Sequence, residues 1–270
     1  MNHRGIQRTL FRMQCDANFA GALFDGDESA WSTTGLGARE RELILRASPA
    51  GLAADPGDTR KLQVLGNIAT EFVLSIACAA SHGDADLLEA FLASEEFHRA
   101  IAEEDRLPLA FTRYAAERAK SIASDALGGL VELESAMARA RRFGGTPVEL
   151  APGSVQLAPG GELVRLRAGL AGYADSLRAN LDSGLPAPGF RRLQGSEVVL
   201  VLPRAREHAF VLAELHVENL SPPVAQVLSA AARPLDAEAR RALAVKLEAS
   251  QEDLEAFVGE LLAEGLLIGG

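Results

Sequence analysis

The stretch from Val198 to Val217, "VVLVLPRAREHAFVLAELHV", decides how the C-terminal half of the chain is expected to fold. Its first five residues form a continuous apolar run, which Pro203 and the polar segment "RAREH" end. From Phe210 to Val217 the pattern has the period of two that is typical of a strand with two different faces. The expected faces are Val211, Ala213, Leu215 and Val217 on one side, and Phe210, Leu212, Glu214 and His216 on the other. The stretch therefore predicts a β-hairpin.

Three helices are predicted after the hairpin. They begin at Ser221-Pro222-Pro223, at Asp236 and at Ser250, where a capping residue precedes each apolar repeat. Gly265 ends the last helix, and we expect Leu266–Ile268 to form a terminal strand that packs against the hairpin. Strands followed by three short helices are the order of a winged-helix-like domain.

Upstream of the hairpin the strand prediction is weaker. The segment "ELVRLRAGLAGYADSLRANL", residues 162–181, predicts a bridging helix, and "GFRRLQ", residues 189–194, is the candidate for an additional strand. The sheet is therefore expected to be a hairpin or a three-stranded sheet.

The N-terminal half has helical periodicity up to Arg142, enough for five or six helices. In the third of these, a long helix, apolar residues from Leu62 to Ile76 are expected to form one buried stripe, and Gly128-Gly129 is expected to bend or break a later helix. A segment rich in Gly and Pro follows. We predict a helical domain over 1–142, a linker with a bridging helix over 143–189 and a winged-helix-like domain over 190–270. The fold class is mainly α with a small α+β part, an N-terminal helical bundle preceding the C-terminal domain.

Composition narrows the possible functions. The 270 residues are 48% hydrophobic and 24% charged, with a formal net charge of −10, and so large a negative charge disfavours nucleic acid as a ligand. No apolar run is as long as a membrane helix, and the N-terminus lacks the apolar core of a signal peptide. Cys15 and Cys78 form neither a disulfide framework nor a zinc pattern. We therefore expect a cytoplasmic protein that contacts neither membrane nor nucleic acid.

Motifs with catalytic or metal-binding spacing are scarce. Glu95 and His98 have the Glu-x-x-His spacing that places a carboxylate and an imidazole on one helix face, as in di-iron bundles. Such sites use two copies of this motif and further Glu residues, whereas this chain has one copy, with Glu71 as a candidate third ligand. A di-iron helical-bundle enzyme built on these residues is one alternative function.

Several consecutive stretches carry a resemblance to a known family. They are "GLGARERELILRASPAGLAADPGDTRKLQVLGNIATEF" (35–72), "FLASEEFHRAIAEEDRLPLAFTRYAAERA" (91–119) and "LVELESAMARARR" (130–142). This half resembles the partner subunits of multinuclear non-haem iron-dependent oxidative enzymes, which act in pathways for ribosomally made peptides such as methanobactin and 3-thiaglutamate. "LSPPVAQVLSAA" (220–231) and "SQEDLEAFVGELLAEGLLI" (250–268) resemble the winged-helix-like peptide-recognition element of such pathways, similar to the PQQ-pathway peptide chaperone.

The resemblance implies a heterodimer in which this chain has no catalytic residue and no cofactor. Iron is expected in the partner enzyme, and the C-terminal domain is expected to hold a precursor peptide for cysteine modification. An extended peptide can add to an exposed strand edge by main-chain hydrogen bonds. The expected peptide-binding residues are Phe210, Leu212, Glu214, His216, Leu254, Phe257, Val258 and Leu261. The expected residues for docking on the enzyme are Phe97, His98, Arg106, Leu107, Pro108, Leu109 and Phe111.

Alternatives stay open for both sets of candidate residues. The stretch from Arg106 to Phe111 is equally consistent with a helix start that is buried inside the bundle. The four residues of the last helix, Leu254 to Leu261, also have the spacing of ordinary core residues. A winged-helix DNA-binding regulator is the second alternative function, and the acidic residues of the last helix, which would repel phosphates, argue against it.

Overall fold

A computed structural model describes residues 2–46, 57–103, 105–142, 149–204 and 214–270, with side chains omitted for 57–61. The described residues form fourteen helices and five short strands. The expected fold class, mainly α with a small β part, is confirmed. The chain divides into two compact units, Met1–Val131 and Glu132–Gly270.

The first unit is a succession of short helices. They are α1 (His3–Cys15), α2 (Ala17–Phe24), α3 (Glu28–Ser32), α4 (Ala38–Leu45), α5 (Gly57–Glu71), α6 (Val73–Ser81), α7 (Leu87–Leu92), α8 (Glu95–Glu103), α9 (Leu107–Ser121) and the start of α10 (Asp125–Arg142). The helical periodicity from Ile6 to Phe24 and the apolar stripe from Leu62 to Ile76 each predict one continuous helix, but each stretch forms two helices in the structure. Asp16 separates α1 from α2 because its carboxylate accepts a hydrogen bond from Phe19 N at 2.9 Å, which caps the new helix.

The second predicted continuous helix bends at Phe72. There α5 and α6 meet at 91°, measured between Leu62–Glu71 and Val73–Ser81. The expected single stripe is therefore wrong: Leu62 is 66% exposed and Val73 is 40% exposed, while Phe72 is fully buried. Among the described residues, no single helix has the length and apolar composition of a membrane span. The bent pair α5 and α6 reaches that length and composition only when its two helices are taken together.

Phenylalanine rings form the centre of the α5–α9 region. Phe72, Phe91, Phe97 and Phe111 are completely buried. The ring of Phe91 packs edge-on against Phe97 and Phe111, with centroids 5.3 and 5.2 Å apart. Edge-to-face pairs of this kind add about 0.5–1.5 kcal/mol to the free energy gained by burying the rings. The Phe72 ring lies 4.9 Å from that of Phe111, so this cluster joins the bend between α5 and α6 to α7, α8 and α9.

The long helix predicted before Arg142 breaks at a residue that the sequence does not mark. Gly128 and Gly129 lie inside α10, and the chain turns at Ala123, whose φ is +51°. Ala123 N donates to Lys120 O and Ser124 N donates to Ala119 O, the two hydrogen bonds of a Schellman C-cap. The expected bend at the glycine pair is therefore wrong, and the turn comes at an alanine in the left-handed region.

The second unit contains all five strands and the last four complete helices. They are β1 (Val155–Leu157), β2 (Glu162–Arg167), α11 (Leu170–Asp182), β3 (Ser196–Pro203), β4 (Leu215–Leu220), α12 (Pro222–Ala230), α13 (Ala237–Lys246), α14 (Gln251–Ala263) and β5 (Leu267–Gly269). An antiparallel sheet has the order β2-β3-β4, and β1 pairs with β5 in a separate two-stranded ladder.

Two strand predictions in this unit are corrected. Residues 162–167, expected at the start of a bridging helix, form β2, and the helix itself begins at Leu170. The candidate strand at 189–194 is not a strand. The hairpin of β3 and β4 is present. Its second strand is observed over Leu215–Leu220 and ends later in sequence than expected, while the predicted strand residues 210–213 lie outside the described residues.

The chain reverses direction after α14, as expected, but the terminal strand β5 pairs with a different strand from the one expected. Gly265, at φ +73°, donates to Leu262 O, while Leu266 N donates to Leu261 O, so α14 also ends in a Schellman cap. Leu266 and Leu267 are buried in one cluster with Leu200 of β3. The backbone of β5 nevertheless pairs with β1 and not with the hairpin, in the register Gln156↔Ile268.

Ala123 gives a stability prediction. A left-handed conformation costs a non-glycine residue about 1–2 kcal/mol, which exceeds the entropic cost of glycine. Ala123→Gly is therefore expected to raise the free energy of unfolding by about 0.5–1 kcal/mol, as measured by urea denaturation. Ala116→Gly, inside α9, is the matched control and should lower the same quantity by about 1 kcal/mol. Equal destabilisation by both substitutions would contradict the argument.

Candidate functional site

The outer edge of β4 is the first candidate surface. Among the described residues, β4 pairs with β3 on one side and with no strand on the other. In an antiparallel pair, hydrogen-bonded and non-hydrogen-bonded residue pairs alternate along the ladder. Arg204 N donates to Glu214 O at 2.8 Å. The pair Arg204–Glu214 is thus of the hydrogen-bonded kind, and this sets the alternation for the whole strand.

The groups that point outward from β4 follow from this alternation. With the register Leu202↔His216 and Leu200↔Glu218, the backbones of His216 and Glu218 bond to β3. The N–H and C=O groups of Leu215, Val217 and Asn219 therefore point away from the sheet. The same alternation explains Pro203, which pairs with Leu215 at a position where β3 needs no N–H toward β4.

Side chains at this edge are polar or partly exposed. Val217 is 43% exposed and Asn219 is exposed, with its side-chain amide donating to Glu197 Oε2 at 3.4 Å. His216 Nε2 lies 3.0 Å from Glu218 Oε2. An unpaired strand edge with accessible backbone groups is the structure to which an extended peptide can add.

A groove of about 470 Å³ lies where the sheet meets α12 and α13. Its floor includes Val198 and Leu220, which face each other across β3 and β4, and Arg165 lies in register with Val198 on β2. Side chains of paired residues lie on the same sheet face, so these three residues form one row across the sheet. Arg165 and Lys246 are charged residues that line the groove beside the apolar Val198 and Leu220, and apolar surface next to charged groups suits a peptide side chain.

The structure places the predicted peptide-binding residues at different depths. Phe210 and Leu212 lie outside the described residues. Glu214 is exposed, and the side chain of His216 is 34% exposed. The remaining predicted residues belong to the core of the second unit: Leu254, Val258 and Leu261 are 2–3% exposed, and Phe257 packs against the same cluster.

These last positions correct the expected pocket walls. The face of α14 that carries Leu254, Val258 and Leu261 covers the hydrophobic core, so their side chains do not reach the surface. The face of β4 that carries His216 was expected to bind the peptide, but it is the face that packs inward. Leu220 lies on the same face as His216 and packs with Leu200 against the C-terminal helices, whereas Val217 lies on the opposite face and is partly exposed.

The predicted docking residues divide in the same way. Phe97 and Phe111 are fully buried in the ring cluster, so they hold the first unit together. Arg106 is exposed at the N-cap position of α9, where its side chain makes no capping hydrogen bond, and Pro108 occupies the first turn of the helix. Leu107, Pro108 and Leu109 are half-buried and remain candidates. Sequence reasoning missed the exposed leucines of α4, Leu43 and Leu45, which are 40% and 46% exposed.

The three residues of the di-iron alternative are in different environments. Glu71 is 7% exposed, whereas the side chain of Glu95 is 88% exposed and lies 3.6 Å from Arg99. His98 is buried, with Nε2 3.9 Å from Asp16 Oδ2. Within the described ranges, no group of three or more His, Cys, Asp or Glu residues is arranged to hold a metal ion.

Comparison with family models, with curated proteins and with solved structures found no match for this chain.

His98 gives a pH-dependence prediction. Burial, with the nearby charge of Arg12 as the second cause, lowers the pKa of His98 from 6.5 to about 4. The unfolded chain therefore takes up this proton first as the pH falls, and the stability of the fold should decrease between pH 6.5 and pH 4 by about 2–3 kcal/mol. In His98→Gln this part of the pH dependence should disappear, as measured by urea denaturation at pH 7, 5 and 4.

The difference between the two proteins isolates His98 from the carboxylates, which titrate in both. If wild type and His98→Gln lose the same free energy of unfolding over this range, the imidazole does not have the lowered pKa.

Proposed function

We propose that this chain is a non-catalytic partner subunit that binds a ribosomally made precursor peptide and presents it to an iron-dependent oxidase for cysteine modification. The observation that supports it most is the outer edge of β4, where Leu215, Val217 and Asn219 direct backbone donors and acceptors away from the sheet. The family resemblance of the two halves of the sequence supports the same role.

Peptide capture would proceed by strand addition to β4. The three outward residues offer up to three N–H donors and three C=O acceptors, so binding would depend on backbone groups more than on peptide sequence. Side chains of the added strand would lie beside Glu218 and Leu220 on one face and beside Val217 on the other. Glu214 and Glu218 are exposed at this edge and favour a peptide with basic residues.

The surface of α14 disfavours the DNA-binding alternative. Glu252, Asp253, Glu260 and Glu264 are exposed on this helix, which corresponds in order to the third helix of a winged-helix domain. The guanidinium of Arg240, on α13, is paired with Glu255: Arg240 Nε lies 2.9 Å from Glu255 Oε1. A DNA backbone would meet this negative surface without compensating basic residues on the same helix.

The first unit would supply the contact with the iron enzyme. Leu107 to Leu109 at the start of α9 and the leucines of α4 are its candidate docking residues. Binding both the peptide and the enzyme would raise the effective concentration of the cysteine at the active site. In this scheme the partner enzyme holds the iron, and this chain holds the cysteine of the peptide next to the active site.

Val217→Pro tests the strand-addition step. Proline removes the outward N–H and blocks the edge, while the hydrogen bonds between β3 and β4 remain. Peptides selected on the full chain from a displayed library of random short sequences should bind this variant at least tenfold more weakly, as measured by fluorescence polarisation. Val217→Ala, which keeps the N–H, is the matched control and should retain most of the affinity.

Hydrogen exchange locates the same contact independently of mutation. A bound peptide should slow exchange at the amides of Leu215, Val217 and Asn219 and leave those of His216 and Glu218 nearly unchanged, since these already bond to β3. Unaltered peptide affinity in Val217→Pro, or protection at other amides, would refute strand addition to β4.

Measuring the iron content tests whether the partner enzyme, and not this chain, holds the iron. Expressed alone, the chain should contain no stoichiometric iron; co-expressed with an iron oxidase encoded beside its own gene, it should co-purify with an iron-containing complex. Iron in the isolated chain, lost on Glu71→Gln or His98→Gln, would instead support the di-iron alternative.

A further inference from the structure

A small pocket in the first unit has features of a ligand site that the proposed function does not use. Its volume is about 130 Å³. Its walls come from α1, α2, α8 and the turn after α3, and include Arg8, Arg12, Phe19, Thr33, His98 and Ile101. All of these lie in the first unit, so the pocket is independent of β4 and its edge.

Two of the residues that line the pocket each have a buried polar atom without a hydrogen-bond partner within the described part of the chain. These atoms are Nε of Arg12 and Nε2 of His98. The His98 side chain is only 8% exposed, and its distance to Asp16 Oδ2, 3.9 Å, is too long for a hydrogen bond. Buried polar groups are almost always hydrogen-bonded in folded proteins, so two unpaired atoms on residues of one pocket indicate a ligand that pairs with them.

The charges around the pocket favour an anion. Arg8 and Arg12 both line it, and the Arg12 guanidinium lies over the Phe19 ring, with Cζ 3.8 Å from the centroid. Arg12 Nη1 also donates to Thr33 Oγ1 at 3.3 Å, which fixes the plane of the guanidinium. Asp16 and Glu95 are carboxylates that act electrostatically on Arg12, but neither is among the lining residues. A fixed guanidinium is well suited to bind a carboxylate through two hydrogen bonds.

The rest of the lining favours an organic molecule over a bare ion. Phe11, Phe19 and Ile101 contribute apolar surface, which would contact hydrocarbon and gain nothing from inorganic phosphate. An apolar cavity of about 150 Å³ admits benzene, so a pocket of this size holds a molecule of roughly six non-hydrogen atoms.

We propose that this pocket binds a small organic carboxylate, with its oxygens on Arg12 and His98 and its short hydrocarbon part against Phe19 and Ile101. Such a ligand would satisfy both unpaired atoms and bring a negative charge to a partly desolvated guanidinium. The proposal holds whether or not β4 binds a peptide.

Butyrate and butyramide form a matched pair of probes, since they have nearly the same shape, about six non-hydrogen atoms each, and differ in charge. In ligand-detected NMR titrations of the full chain, butyrate should bind saturably and at least tenfold more tightly than butyramide. Inorganic phosphate is the third probe, and it should bind more weakly than butyrate because it makes no apolar contact.

Substitutions place the binding in this pocket. Arg12→Gln should weaken butyrate binding at least tenfold, while Arg99→Gln, a half-exposed control outside the pocket, should change it less than twofold. If Arg12→Gln unfolds, Arg8→Gln leaves the Arg12–Phe19 contact intact and should still weaken binding severalfold. The proposal is overturned by absence of saturable butyrate binding up to about 10 mM, by equal affinity for butyramide, by tighter binding of phosphate, or by unchanged affinity in the folded Arg variants.

Discussion

The second unit depends on burying the central strand β3 on both of its faces. Leu200 is fully buried against the C-terminal helices, and Val199 and Val201, on the other face, are 2% and 0% exposed. A shift of one residue in the pairing of β3 would exchange these two sets of side chains between different environments. Burial therefore fixes the register, and the register in turn decides which backbone groups of β4 point outward.

This dependence explains what the sequence could predict about the sheet. The apolar run at Val198–Leu202 is long enough to be recognised as a buried strand, and the helix starts at Pro222, Asp236 and Ser250 follow from capping chemistry. The strand β2 was missed although "ELVRLR" alternates, with Val164 and Leu166 buried. Leu163 and Leu166 also have the three-residue spacing of a helix face, and a true helix follows at Leu170, so local periodicity favoured the wrong assignment.

Helix ends in the first unit were predictable only where a side chain provides the cap. Asp16 caps α2 with its carboxylate, and a polar residue before an apolar run is a recognisable signal. Ala123 carries no such signal, because alanine has no preference for the left-handed conformation that it adopts there. Gly128 lies in a helix where the nearest atom to an added Cβ would be Ala119 Cβ at 3.8 Å. Glycine there is neither required by space nor sufficient to break the helix, so composition alone misplaced the bend.

Local sequence patterns were also insufficient to predict the residues of the candidate site. Apolar residues at helical spacing on α14 satisfy the pattern of a ligand pocket and of a core equally well, and only the position of the sheet shows that Leu254 and Val258 face inward. What stays accessible at β4 is mostly main chain, whose donors and acceptors are the same for every residue except proline. A site made of main-chain groups can therefore hardly be recognised from the types of its residues. Its selectivity must come from neighbours such as Glu218 and the groove at Leu220. The pocket around Arg12 differs, since its chemistry lies in side chains from α1 and α8, and their separation in sequence hid it until the fold brought them together.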